Sequence, residues 1–521
     1  MGLFRLLILI ICAFCATPAA AALDDDRWQE VRSEHFRIYA NGDVEEAKDL
    51  AREMENFRRI VLMATGLRDV EGGVPFTMFA ARNRNDFKQF FSQFWVVGVF
   101  TGSMRGYYAI IDMSSRRPNE RGKFVRAADL IVKHEYVHFI LSTTTRVRYP
   151  YWYEEGFAEY LSTARYEDGE VSIGFPVVDR HLSLSDGFGL SSMDKLLTST
   201  RVDQKVNTDN LYAQSWLLVH HLMNTPELRP KVVDYLKRYD ETGDSLGAFK
   251  AVFGDDLDTL QKRLSRKSER GRYEYTRFKP TLPMPEAALA VLPVPQTQMR
   301  LALAQALQHF PGGDKRRDQV RGHYERVLAD EPANAAALAG MADLALIQRN
   351  PELAATYLGR IPDSVEDEAV LIARGDLALM RAVRANLSQP LLEEARDRYI
   401  SALRLNNRSA EAFFSYGLTF LGASGDPKEG LAGFREAAAL APGDSQAAFF
   451  HALMQLQAGG FDEAARLGRQ VALGNREPEF VAFGNQVIAL ANAGDAEAGR
   501  VFARDILLRH MSGRLAREID D

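Results

Sequence analysis

The sequence predicts a two-part chain: an α+β domain, with a small mixed sheet beside a helix pair, followed by an all-α solenoid of repeated helix pairs. Three observations predict it. Up to about residue 275, short β-patterned runs alternate with amphipathic helical ones. Between Lys279 and Gln296 stand Pro280, Pro283, Pro285, Pro293 and Pro295, a density that reads as an extended linker. Beyond it the chain is alanine-rich, and helical segments recur at a spacing near 35 residues. The expected divisions are residues 1–22, 23–278, 279–297 and 298–521.

Residues 1–22 read as a secretory signal peptide. Arg5 supplies the positive start, Leu6 to Ala16 the short apolar stretch, and Ala20-Ala21-Ala22 a small-residue cleavage site. The apolar stretch is too short to span a bilayer comfortably. Both cysteines, Cys12 and Cys15, lie inside it, so the mature chain carries none, which suits an oxidising compartment without disulfides. Secretion, and a periplasmic location, are expected. The net charge of −6 comes from 64 basic and 70 acidic residues without long runs, so no nucleic-acid footprint is present. No second apolar stretch approaches 18 residues, and no membrane span is expected in the mature chain.

Along the first domain, Phe36 to Ala40 reads as a strand and Val44 to Ala64 as a helix ended by Gly66. Val74 to Ala80 reads as a second strand, and Asn85 to Phe94 as a helix. Val97 to Met113 alternates in the β manner, best over Tyr108 to Asp112. A long helix follows from about Phe124 to Ser142, then another from about Glu154 to Ala164. Asp168 to Asp209, with Gly169, Gly174, Gly187 and Gly189, reads as a loop that lines or covers a cleft. Tyr212 opens an apolar helix running to about Met223.

The long helix carries His134-Glu135-Tyr136-Val137-His138. Side chains at i and i+4 share a helix face, so His134 and His138 can ligate one metal ion, with Glu135 about 100° round the same turn. Glu155 comes 17 residues after His138, room for a turn and an antiparallel helix that brings a third ligand. Two imidazoles and a carboxylate suit one Zn2+ per chain with an open position for water. Glu159, one turn on from Glu155, is placed to accept the free N–H of a ligating histidine. Glu154 reads as a solvated acid. His220 and His221 point to different helix faces and read as packing residues.

HEYVH followed by Trp152-Tyr153-Glu154-Glu155-Gly156-Phe157-Ala158-Glu159-Tyr160 resembles the gluzincin zinc metallopeptidases, in particular the bacterial peptidase MA-like group. Trp28 to Tyr39 resembles that group's first strand. The resemblance spans roughly residues 28 to 275. It implies a thermolysin-like domain and a hydrolase in which His134, His138 and Glu155 are ligands, Glu135 is general base and acid, and Glu159 supports a ligand. Tyr212 resembles the tyrosine that stabilises the oxyanion in related enzymes; a core or cap tyrosine is the alternative. Related aminopeptidases carry G-x-M-E-N upstream, whereas this chain has Gly102-Ser103-Met104-Arg105-Gly106. A cation cannot hold a substrate amine, so aminopeptidase specificity is not implied. Arg105 could meet a substrate carboxylate; a solvent-facing strand arginine is the alternative. In related peptidases the neighbouring strand pairs with extended substrate, and Gly98 to Ile111, with Tyr108, is the candidate here.

In the second half, Arg398 to Asn407 recurs as Gly433 to Pro442, with Tyr399 and Phe434 in register 35 residues apart. An earlier copy, His323 to Pro332, places Tyr324 at the same position. Alanine-rich helices follow each copy, at Ala335 to Ile347, Ala410 to Leu421 and Ser445 to Gln457. Gly459 to Ala464 starts another pair. This resembles a degenerate tetratricopeptide solenoid of about five or six pairs, with an inner surface for a protein partner. The leading expectation is therefore a secreted zinc metallopeptidase acting on a peptide or protein. Two alternatives are a cell-envelope scaffold with a vestigial or structural zinc site, and a zinc hydrolase of a non-peptide amide.

Overall fold

A computed structural model describes residues 27–67, 76–91, 96–144, 147–185, 190–200, 208–284, 286–423, 425–441, 444–474 and 478–512. The expected signal peptide lies outside them, as do the end of the helix expected over Asn85 to Phe94 and parts of the expected loop, at 186–189 and 201–207. The chain begins with β1 (Trp28–Arg32) and β2 (Phe36–Ala40), then α1 (Val44–Thr65), capped by Asp43 and closed at Gly66. Next come β3 (Phe76–Ala81), the short α2 (Arg84–Lys88), β4 (Gly98–Ser103) and β5 (Gly106–Asp112). A ribbon of β6 (Arg116–Pro118) and β7 (Phe124–Arg126) leads into α3 (Ala127–Thr144). The helix expected from Phe124 thus starts three residues later, because Phe124 pairs with Pro118 across the ribbon.

After α3 come α4 (Tyr151–Ser162), β8 (Arg165–Glu167), β9 (Glu170–Ile173), α5 (Val178–Ser185), α6 (Met193–Leu197) and α7 (Thr208–Asn224). The segment read as loop therefore contains a β-hairpin strand and two short helices. Its glycines punctuate the pattern without preventing short elements. Helices α8 (Lys231–Thr242), α9 (Ser245–Phe253) and α10 (Leu257–Arg270) and strand β10 (Thr276–Phe278) complete this part.

The proline-rich stretch is extended, but it is more than a linker. Its residues Ala290–Val294 form β11, an edge strand antiparallel to β1, with Pro293 opposite Gln29. Proline is tolerated at an edge because one side of that strand needs no ladder donor. The main sheet has the order β11-β1-β2-β3-β5-β4, parallel at β2–β3 and β3–β5 and antiparallel elsewhere.

Both faces of this sheet are covered, which is why every residue of β3 is buried. Val31, Ile38 and Met78 pack with α1, α3 and α4 in one core. Trp28, Tyr39, Phe79 and Ile110 pack with the first helices of the second half, through Met299, Leu303, Phe310 and Tyr324. The two halves of the chain therefore share a core. A fragment ending at Met284 would lose β11 and bare this second face. It is expected to elute as aggregate on size exclusion, whereas residues 27–347, which keep the cover, should elute as a discrete species.

The second half is a run of antiparallel helices: α11 (Gln296–Leu307), α12 (Gly313–Asp330), α13 (Ala335–Ile347), α14 (Pro351–Leu358), α15 (Glu368–Arg384) and α16 (Gln389–Leu405). It continues with α17 (Ala410–Leu418), α18 (Pro427–Leu440), α19 (Ser445–Gln457), α20 (Phe461–Gly474), α21 (Pro478–Ala493) and α22 (Ala496–Ser512). The repeat read from sequence has a packing reason. Tyr324, Tyr399 and Phe434, the register residues of the three copies, are all buried. Each lies against a glycine of a neighbouring helix: Gly340, Gly375 and Gly417 respectively. Stacked pairs of this kind bury a continuous core that no single pair could form.

Candidate metal centre

Helices α3 and α4 build the centre. α3 is held from below by Tyr136, whose hydroxyl accepts a hydrogen bond from Arg58 Nη1 at 2.8 Å and whose ring contacts Phe36 and Phe76. Lys133 ties the same helix to Glu53 at 2.6 Å. α4 is anchored by Trp152, whose indole N–H donates to Tyr235 at 3.0 Å. The turn that immobilises Tyr136 on one side presents His134 and His138 on another.

The two helices run antiparallel, so climbing one turn on α3 descends one turn on α4. Glu155 Oε2 lies 3.3 Å from His134 Nε2 and 3.4 Å from His138 Nε2, and the two Nε2 atoms are 3.1 Å apart. All three ligand atoms fall within 4.8 Å of one another. Two imidazole nitrogens converging on one carboxylate oxygen that is almost wholly buried is a donor set that fits zinc.

The same contacts set the charges of the metal-free site. Burial opposes charge on His138, but the carboxylate of Glu155, helped by Glu154, outweighs it and raises the imidazole to about 10. Glu155 is pushed up by its own burial and pulled further down by His138 and His134, ending well below the usual carboxylate range.

Behind each histidine stands a second carboxylate. Glu154 Oε1 is 3.3 Å from His138 Nδ1, and Glu159 Oε1 is 3.7 Å from His134 Nδ1. The reading of Glu154 as a solvated acid is therefore corrected: its side chain is 19% exposed and backs a histidine. The reason is the angle between adjacent helical residues. With Glu155 aimed between the histidines, Glu154 swings to the His138 side, and Glu159, a turn later, reaches the His134 side. Glu159 also accepts a 3.0 Å hydrogen bond from Arg180 Nε of α5. Arg180 goes unnoticed in the sequence because it stands in the segment read as loop. Its guanidinium lies 4.8 Å over the ring of Tyr212.

Tyr212 itself comes within 6.0 Å of the His134 ring, centroid to centroid. The close approach of α7 to α4 that places it there depends on Gly156, where an added Cβ would stand 2.4 Å from the Ser215 carbonyl oxygen. Glu135, next to His134, is half-buried. His220 is fully buried between Trp216 and Tyr273, with Nε2 2.7 Å from the Glu274 carbonyl oxygen, and burial pushes it down to about 4. It is a neutral packing residue.

Arg105 and Tyr108 go elsewhere. Arg105, at the β4–β5 turn, donates from Nε to Glu411 at 2.6 Å and from Nη1 to Asp343, both on the helical repeat. Tyr108 stacks on His309 with a ring separation of 5.3 Å. The expectation that these two meet substrate is corrected to this extent: the structure gives them partners across the chain. Nothing local distinguishes an arginine aimed at solvent from one aimed at carboxylates more than 200 residues away. Of the expected Gly98 to Ile111, β4 is one edge of the sheet, whereas β5, which carries Tyr108, lies between β3 and β4; the hairpin lies along α3. Gly98 approaches Ile131, and Tyr107 meets Phe139 at 4.6 Å between rings. Among the described residues no helix is long and apolar enough to cross a membrane.

No protein family model and no curated protein matches the sequence. Solved structures do resemble part of it. One is a thermophilic TPR protein of Thermus thermophilus, at 20% identity and TM-score 0.30, covering 37% of this chain and 99% of that one. Another is YrrB, a TPR protein with an unusual peptide-binding site, at 16% identity and TM-score 0.24, covering 37% of this chain and 89% of that one. At such scores the repeat architecture rests on the chain's own helix pairs.

Proposed function

We propose that the chain is a zinc-dependent metallopeptidase whose helical repeat binds a protein partner. The observation that carries the first part is the convergence of His134, His138 and Glu155 on one point, with Glu154 and Glu159 behind the histidines. These three side chains would hold the metal, and the two outer carboxylates would fix the imidazole orientations. Bound zinc supplies a Lewis acid that polarises a carbonyl and acidifies water. Glu135 takes the proton from the attacking water and returns it to the leaving nitrogen. Tyr212 donates a hydrogen bond to the developing oxyanion, its ring steadied by Arg180. The leader-like residues 1–22 and a cysteine-free remainder favour a periplasmic setting.

Glu135→Gln keeps the size and removes the base. Turnover of a peptide library should fall by about 10³-fold or more while zinc content stays at the wild-type level. Wild-type turnover in that variant would reject the mechanism. A scaffold with a structural metal is the second reading, favoured by the shared core and by Arg105 locking the sheet hairpin to the repeat. Stoichiometric zinc without cleavage of any library member would select it.

A further inference from the structure

The inner face of the helical repeat carries one acid per repeat. Asp343, Asp376, Glu411 and Asp444 follow at intervals of 33, 35 and 33 residues, on or capping α13, α15, α17 and α19. All four line one cavity of about 760 Å³. Its cations are fewer: Arg317 is bound to Asp314 at 2.7 Å, which leaves Arg105 and Arg349. Asp376 records the excess. Burial first, and then the nearness of Glu411, push its carboxyl up to about 7, although Tyr399 donates to it at 2.7 Å.

Arg105 is seated on this stripe as a ligand would be. Its guanidinium spans Asp343 of α13 and Glu411 of α17, while Met104 beside it packs against the core of the later repeats. The turn does not fill the groove. A second cavity, of about 560 Å³, lies beside the first, and Met104, Arg105, His309, Asp343 and Glu411 line both. A two-carboxylate seat reads a guanidinium through its fork of donors.

We propose that this groove is a recognition site for an arginine presented at a turn beside an apolar side chain, occupied in the chain by its own β4–β5 hairpin. A protein partner with the same chemistry then binds by displacing Met104 and Arg105. Because β4 is the edge of the sheet that runs beside α3, opposite β11, displacement would loosen the strand next to the metal-site helix. The binding claim stands without the peptidase reading.

The test uses the full chain and a fluorescent cyclic peptide with the sequence of residues 101–108. By anisotropy, the Arg105→Ala chain should bind the peptide at least tenfold more tightly than wild type. The same peptide with its arginine replaced by alanine should bind neither chain. Equal affinity for both chains, or indifference to the peptide's arginine, would overturn the proposal. Should Arg105→Ala not fold, hydrogen exchange of residues 98–106 in the wild-type chain decides. Excess arginine peptide should speed it and the alanine peptide should not; no change with either overturns the proposal as well.

Discussion

Glu155→Ala should empty the centre of metal and destabilise the chain together. Glu155 is 1% exposed and faces both histidines, so its removal leaves two part-buried imidazoles without the carboxylate they share. Breaking a buried ion pair from one side costs about 3–5 kcal/mol. The wild-type chain is expected to carry about one zinc per molecule, lost in the variant, because the site needs three protein ligands. Metal that binds only the folded state at about 1,000 times its dissociation constant adds about 4 kcal/mol of stability. Chelator should therefore lower the wild-type melting temperature and leave that of Glu155→Ala unmoved. Elemental analysis and melts with and without chelator check both parts. Full zinc in the variant would place the third ligand elsewhere.

Gly156→Ala should be nearly as damaging for a different reason. The new Cβ would stand 2.4 Å from the Ser215 carbonyl oxygen and 2.6 Å from its carbon, both backbone atoms that cannot rotate away. Helices α4 and α7 must part. Overpacking of this kind costs about 3 kcal/mol, roughly 5–10 °C in melting temperature for a domain of this size. The parting also carries Tyr212 away from His134 and tilts Glu155, so zinc affinity should fall in the same variant. A wild-type melt would show that the α4–α7 contact is looser than its geometry states.

Much of this was legible in one dimension. The spacing of His134 and His138 is a statement about one helical turn. The spacing to Glu155 leaves length for one reversal, and the two helices that follow from it, α3 and α4, are where expected within three residues at each end. The helices at Ala335–Ile347 and Ser445–Gln457 have the predicted bounds because alanine-rich periodic segments with a polar cap, Asn334 and Asp444, define their own ends. The recurrence of Tyr324, Tyr399 and Phe434 announced the repeat because each occupies an equivalent packed position.

What the sequence determined, then, was whatever is set by neighbours a few residues away: the shared face of His134 and His138 on α3, the acids of α4, the period of the repeat. Tertiary structure decided the rest. It turned Glu154 towards His138, brought Arg180 from a glycine-rich segment onto Glu159 and Tyr212, and added β11 from a proline-rich stretch to the edge of the sheet. It also sent Arg105 to Asp343 and Glu411. Each of these depends on pairing between distant segments, where many partners of the same charge or polarity compete. Only the packing of the assembled chain selects among them.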